Sequence, residues 1–236
     1  MTTTSEMHLP ELTVGVTRRR IASISAPGRR VHKAILRAFG ITGRAPDLTA
    51  LSTAVPQRSD LNALLTELHE HDVLRLDEQR CIRVAYPFSD TPTAHMVAIE
   101  GGPVAYAMCA IDALGIAEML GRNTAIRSAD PVTGKPITVT VQDGKATWRP
   151  ETAVVFVGSD HDAAASSGNG CCPPNSSGQT STIAAADLCC NVVNFFTSLP
   201  TADTWLATHP DATGVVLAQD QALRLGVDTF AHLLND

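Results

Sequence analysis

The spacing of apolar residues in the first third of the chain predicts three short helices. Apolar residues recur at helical spacing within the segments 31–40, 47–55 and 60–70, and an aspartate opens each of the last two. Directly afterwards, over residues 74–85, apolar and polar types alternate in the manner typical of two short strands around a turn. Three helices followed by a hairpin form a winged-helix pattern, which we predict for residues 28–90.

The parts of the chain on either side of this pattern differ from it. Residues 1–27 show no sustained apolar period, and we expect a flexible N-terminal arm there. Residues 91–236 are predicted to form a second domain, in which strand and helix patterns are mixed. The predicted fold class is therefore α+β, with a small winged-helix-like three-helix domain followed by a mixed domain of short antiparallel sheets and helices.

Turn residues and alternation outline the elements of the second domain. The stretch "TAIRSADPVTGKPITVTV" predicts a β-hairpin, because a connection rich in turn residues joins two alternating segments. Residues 158–182 are rich in Gly, Ser, Asn and Pro and predict a mobile loop. The other predicted elements are strands at 95–100, 152–158 and 214–218, and helices at 105–120, from 184 through a cysteine pair, from 201, and at 220–234.

Composition narrows the class of protein. The chain has 236 residues, of which 44% are hydrophobic and 18% charged, as in an ordinary globular protein. No apolar run is long enough for a transmembrane helix, and the first residues lack the pattern of a secretory signal. We therefore expect a cytoplasmic protein without membrane contact, whose six cysteines stay reduced and serve as packing residues, metal ligands or nucleophiles.

The net charge argues against nucleic acid as a partner, although one segment of the chain is basic. The formal net charge is −6, yet residues 17–44 carry eight Lys or Arg and no acid. Such a segment is either a solvated face or an electrostatic footprint. The third predicted helix presents Glu67 and Glu70, which match a phosphate backbone poorly, so DNA binding is not the expected function.

The stretch "CAIDAL" places a thiol and a carboxylate three residues apart. On a helix Cys109 and Asp112 share one face, and apolar neighbours disfavour the charged form of the carboxyl, so that it can hold a proton and deliver it. The alternative is a core cysteine beside an incidental acid.

The remaining cysteines are open to more than one interpretation. Cys189 and Cys190 are adjacent, and on a helix their side chains diverge by about 100°, so that one can face a site while the other packs. Cys171 and Cys172 lie in the predicted loop and either capture a soft metal ion or have no role. Cys81, in the predicted hairpin, is expected to be a packing residue. Zinc-binding spacings, dinucleotide-binding glycines and a phosphate loop are absent from the sequence.

The motifs in combination resemble a known family. "YAMCAIDALGIAEMLGRNTAIRSADPVTGKPITVTV" followed by "LCCNVVNFFTSLPTADTW" resembles the organomercurial lyases, also called alkylmercury lyases, over roughly residues 95 to 235. The resemblance implies cofactor-free protonolysis of a carbon–mercury bond, with Cys109, Asp112 and Cys189 as the catalytic residues. It also implies that Hg(II) ends on Cys109 and Cys189, near Asp112, until small thiols or a mercuric reductase remove it. Cys190 is then an auxiliary residue.

The chain departs from this family in two places. Asp130 stands where the family commonly has another cysteine, just before the "TG" turn. The predicted loop brings its own Cys171 and Cys172, which we interpret as a possible third ligand or a mercury relay. Two other functions remain open at this point: a metal-responsive winged-helix DNA-binding regulator, and a lyase for another organometal such as an organotin.

Overall fold

A computed structural model describes residues 8–52, 55, 60–160 and 190–235. Its helices are α1 (His8–Ser23), α2 (Ala26–Thr42), α3 (Leu48–Ser52), α4 (Leu61–Glu70), α5 (Ala110–Leu120), α6 (Leu199–Thr208) and α7 (Gln219–Phe230). Its strands are β1 (Leu74–Leu76), β2 (Ile82–Ala85), β3 (Phe88–Ser89), β4 (His95–Ile99), β5 (Val104–Ala107), β6 (Thr124–Ala129), β7 (Pro136–Gln142), β8 (Lys145–Arg149), β9 (Val154–Asp160), β10 (Asn194–Phe196) and β11 (Ala212–Leu217).

The strands form two antiparallel sheets. Eight of them pair in the order β1-β2-β3-β5-β4-β6-β7-β8, and three pair in the order β10-β9-β11. Helices pack against these sheets, which confirms the predicted α+β class. No helix in the described ranges is both long and apolar enough to span a membrane.

The predicted hairpin at the centre of the second domain is confirmed. In β7, Ile137, Val139 and Val141 are buried, and β7 pairs with β6 on one side and β8 on the other. Ile126 of β6 lies opposite Val139 in the register. The alternation of buried and exposed residues is what one buried face of an antiparallel sheet requires.

The helices predicted near the N-terminus are present, but they do not form a separate core. Helix α2 buries Phe39, whose ring stacks on that of Phe88 in β3 at a centroid distance of 5.0 Å. The predicted wing strand β2 pairs with β3, and β3 pairs with β5. The predicted boundary at residue 90 therefore lies inside one continuous sheet and one hydrophobic core.

The expectation of a flexible arm over residues 1–27 is wrong for residues 8–23, which form α1. This helix packs on α7 and β9, and Arg20 forms an ion pair with Asp72 at 2.8 Å. Helix formation in proteins depends largely on tertiary contacts of this kind. The partners of α1 lie far along the chain, so its local sequence does not reveal them.

The helix predicted over 105–120 begins later than expected. Residues 104–107 form strand β5, in which Tyr106 pairs with Met96 of β4, and α5 begins only at Ala110. Pairing with β4 decides the conformation of this segment, since local propensity alone permits either element. The consequence is that Cys109 lies at the start of a helix and not within it.

Candidate active site

Cys109 occupies the junction between strand β5 and helix α5. Its backbone is extended, with φ −150° and ψ 179°, and it is the N-cap residue of α5. The Sγ atom accepts a hydrogen bond from the backbone N–H of Asp112 at 3.4 Å. A helix N-terminus favours negative charge, so this position favours the thiolate form of a cysteine.

Cys190 approaches the same place from another part of the chain. It is buried, lies in a turn over 190–192 and precedes strand β10. The backbone N–H of Ala110 donates to the carbonyl of Val193 at 3.1 Å, which holds this segment against the start of α5. The prediction of a helix running through the cysteine pair is therefore wrong at Cys190, because the chain is already turning into β10.

Three buried side chains meet at this point. The Sγ atoms of Cys109 and Cys190 and a carboxylate oxygen of Asp112 all lie within 4.8 Å of one another. Their residues are 6%, 8% and 5% exposed, respectively. Two sulfur ligands suit a soft metal ion, and a carboxyl group beside them can take up or deliver a proton.

The structure brings together only some of the residues singled out in the sequence. Cys109 and Asp112 are neighbours, and Cys190, expected only as an auxiliary residue, joins them. Cys189, Cys171 and Cys172 lie outside the described residues, as does the predicted loop from residue 161 onward. The prediction of a loop is wrong for residues 158–160, which pair with β11 as the end of strand β9. Cys81, expected to pack in the core, is instead exposed in the turn between β1 and β2.

Asp130 holds the hairpin to the segment that follows β10. Its carboxylate accepts the backbone N–H and the Oγ1–H of Thr197 at 2.7 and 2.6 Å. It also accepts the backbone N–H groups of Val132 and Thr133, at 2.9 and 3.1 Å. Burial alone would raise the pKa of Asp130, but these hydrogen bonds outweigh it and lower that pKa to about 2.

In the sequence, Asp130 stands out only as the replacement for a cysteine, and no role is predicted for it. The signal for its local bonds is present, because Asp followed by Pro and a turn is typical of an Asx-turn. Thr197 is 67 residues away, and no local pattern indicates that bond.

His95 supports β10 from the side of the large sheet. It is 3% exposed, its Nδ1 lies 3.1 Å from the Oγ of Ser128, and its ring meets that of Phe195 edge-on at 5.6 Å. Burial lowers the pKa of His95 to about 4, although a hydrogen bond with Asn194 opposes the shift. The imidazole is therefore neutral near pH 7, and with Asp130 it fixes the strand that follows Cys190.

Comparison with known proteins assigns this arrangement to a family. A family model described as alkylmercury lyase matches residues 88–177 and 174–231. The alkylmercury lyase of Staphylococcus epidermidis is 31% identical over 154 residues, which are 65% of this chain and 61% of that protein. That of Bacillus cereus is 32% identical over 154 residues, which are 65% of this chain and 60% of that protein. The chain thus aligns with about three fifths of the length of each of these relatives.

Two further matches cover more of the chain. The alkylmercury lyase of Pseudomonas putida is 28% identical over 198 residues, which are 83% of this chain and 81% of that protein. A crystal structure of the mercury-bound form of MerB2 has a TM-score of 0.69 at 20% identity and covers 94% of this chain and 98% of its own. At that identity the structural likeness concerns the fold. The family model alone spans more than half of the sequence, and the chain belongs to the alkylmercury lyase family.

Proposed function

We propose that this protein cleaves the carbon–mercury bond of organomercurials by protonolysis and gives a hydrocarbon and Hg(II). The observation that carries this proposal is the buried cluster in which two sulfur atoms and one carboxylate oxygen lie within 4.8 Å of one another. Mercury is a soft cation and prefers thiolates to oxygen or nitrogen ligands. Membership in the alkylmercury lyase family supports the same reaction.

The reaction begins with exchange of thiolate ligands on mercury. The substrate enters as an organomercury ion bound to a small thiolate. One cysteine thiol loses its proton, its sulfur forms a bond to mercury, and the bond between mercury and the small thiolate breaks. The departing thiolate takes the proton that this cysteine gives up. Because the N–H of Asp112 points at the Sγ of Cys109, we assign the first attack to Cys109.

The second thiol supplies the proton that ends on carbon. The Cys190 thiol gives its proton to the carboxylate of Asp112, and its sulfur becomes the second ligand of mercury. Two thiolates make the metal more electron-rich and the bound carbon more basic. Asp112 then delivers the proton to that carbon, the carbon–mercury bond breaks with its electron pair on carbon, and the hydrocarbon leaves.

Mercury is the cargo of this reaction, and we expect no resident cofactor. Hg(II) stays on Cys109 and Cys190 until two exogenous thiols displace it by ligand exchange. We expect a mercuric reductase to accept the Hg(II) that is released. The sequence-based assignment of the second ligand to Cys189 remains an alternative, and the variants described in the Discussion distinguish the two.

The test is direct detection of both products. The purified protein is incubated with methylmercury and excess thiol, methane is measured by gas chromatography, and released Hg(II) is measured in the solution. Asp112→Asn should bind methylmercury but lower the rate of methane formation by about 100-fold or more, because a general acid contributes at least that much. Asp203→Asn, at an exposed position of α6, is the matched control and should be fully active.

Three results would contradict the proposal or change its substrate. If the parent protein forms no methane, or if Asp112→Asn forms methane at the parental rate, protonolysis through Asp112 is wrong. A parallel incubation replaces methylmercury by an organotin compound. If a hydrocarbon forms with the organotin compound and not with methylmercury, the protein is a lyase for another organometal.

A further inference from the structure

A groove between helix α2 and the C-terminal segment 232–235 is lined by basic side chains. Arg29, Arg30, Lys33 and Arg37 contribute to its wall, and no acidic residue of the described part of the chain does. Its volume is about 590 Å³, within the range of pockets that hold small molecules. No residue of the thiol and carboxylate cluster lines it, so the groove is separate from the candidate active site.

The charge of the three arginines in this groove, Arg29, Arg30 and Arg37, is not balanced by a carboxylate of the described residues. Within the described ranges, no carboxylate forms an ion pair with the three arginines. Lys33 donates to the backbone carbonyl of Asn235 at 2.5 Å. Glu67 is bound to the backbone N–H and Oγ–H of Ser25, at the start of α2, and does not line the groove. Guanidinium groups stay charged near neutral pH, so this concentration of charge persists on a chain whose net charge is −6.

A histidine in the wall offers a further polar atom. The Nε2 of His232 is buried and has no hydrogen-bond partner among the described residues. Burial and the nearby charge of Arg18 lower the pKa of His232, so its ring is neutral near pH 7 and offers one donor and one acceptor. A buried polar atom without a partner is costly, and an oxygen of a bound ligand would satisfy it.

We infer that this groove binds a small anion carrying two or more phosphate or carboxylate groups. Arginine recognises both groups through paired N–H donors. Arg29, Arg30 and Arg37 all belong to α2 and line the groove; Arg29 also donates to the backbone carbonyl of Ile24, so Arg30 and Arg37 are the main anion ligands that we infer. The apolar floor, from α1, α2 and the C-terminal segment, favours a compact ligand that fills the groove. An extended nucleic acid would instead meet the repulsion of an acidic protein.

The test uses the full chain and two probes, inorganic pyrophosphate and citrate. Binding is measured by isothermal titration calorimetry at an ionic strength of about 20 mM, where screening is weak. We expect saturable binding of at least one probe by the parent. The double variant Arg30→Gln/Arg37→Gln should bind it at least about tenfold more weakly, because it loses two charge-assisted contacts. Arg37→Gln alone, at an exposed position, should give a smaller loss in the same direction.

A matched double variant separates a site from general charge. Arg83→Gln/Arg127→Gln removes the same charge from exposed positions of β2 and β6 and should change the affinity by less than about twofold. Tighter binding of pyrophosphate assigns a phosphorylated ligand, and tighter binding of citrate assigns a carboxylate. The inference is wrong if neither probe binds saturably, if the groove variants bind like the parent, or if the control loses as much. It is also wrong if a short DNA duplex binds more tightly than both probes.

Discussion

The backbone N–H of Asp112 donates a hydrogen bond to the Sγ of Cys109 at 3.4 Å. The carboxylate of the same aspartate lies within 4.8 Å of both cluster sulfurs. One residue therefore holds the first thiol through its main chain and faces it with its side chain. The relationship depends on Cys109 being the N-cap of α5, since the side chain at that position can accept a backbone N–H from the first turn of the helix.

The N-cap position separates the structural role of Cys109 from its chemical role. Serine caps helices well, so Cys109→Ser should keep or raise the free energy of unfolding while it abolishes methane formation. Cys109→Ala should lose activity and also about 1 kcal/mol of stability, because the cap is lost. Urea unfolding and the methane assay on both variants measure the two effects. A Ser variant that unfolds as easily as the Ala variant would show that the sulfur does not act as a cap.

The second mercury ligand is tested by exchanging each cysteine of the adjacent pair. Cys190→Ser should retain less than about 1% of the parental rate of methane formation, because one soft ligand and the transferable proton are both lost. Cys189→Ser is the matched control and should remain active. The reverse result, an inactive Cys189→Ser and an active Cys190→Ser, would restore the ligand assignment made from the sequence. Hg(II) retained after gel filtration gives an independent measure of the same difference.

Local patterns were sufficient wherever the deciding contacts are local. The β6–β7 hairpin and the start of α7 are predicted correctly because the alternation and the helical spacing belong to their own residues, although α7 ends at Phe230, before the predicted end at residue 234. The closeness of Cys109 and Asp112 is also predictable, since they are only three positions apart in the chain. The start of α5 was not predictable, because pairing of Tyr106 with Met96 makes a strand from a segment that also suits a helix.

The position of Cys190 depends on contacts that no local pattern contains. Strand β10 follows it because Phe195 pairs with Val155 in β9, which lies 40 residues earlier in the chain. A helix through the pair and a turn into β10 direct the two thiols differently. Only the tertiary structure shows that Cys190 lies beside Cys109 and Asp112, and the same holds for the bond between Asp130 and Thr197.

Asp130 should make the protein sensitive to strong acid. Its pKa is lowered from 3.8 to about 2 in the folded protein, so the unfolded state binds the proton more readily. The corresponding stabilisation, on the order of 2 kcal/mol, is fully present above about pH 4 and is lost as the pH falls toward 2. Asp130→Asn should remove this part of the acid dependence and lower stability at pH 7, since Thr197 loses a charged acceptor.

Urea unfolding at about pH 5 and about pH 2.5 measures this effect. Asp203→Asn, at an exposed position, is the control and should keep the acid dependence of the parent. The hydrogen bonds of Asp130 do not contribute as described if Asp130→Asn loses stability on acidification as steeply as the parent. Activity should fall together with stability, because Asp130 anchors the segment that follows Cys190 and β10.

His32 should produce a second loss of stability at milder acidity. The residue is 3% exposed, its Nε2 has no hydrogen-bond partner among the described residues, and burial lowers its pKa from 6.5 to about 4. Because the unfolded state binds the proton first, stability falls as the pH decreases from about 6.5 to about 4, by on the order of 3 kcal/mol. His32→Leu should change the free energy of unfolding little at pH 7, where it replaces an unsatisfied polar atom, and should flatten the stability profile between these pH values.

Leu65→Met, a conservative change at another buried position, is the control and should shift the stability profile without changing its slope. An unchanged slope in His32→Leu would mean that the acid sensitivity in this range has another source, of which the buried His95 is the first to examine.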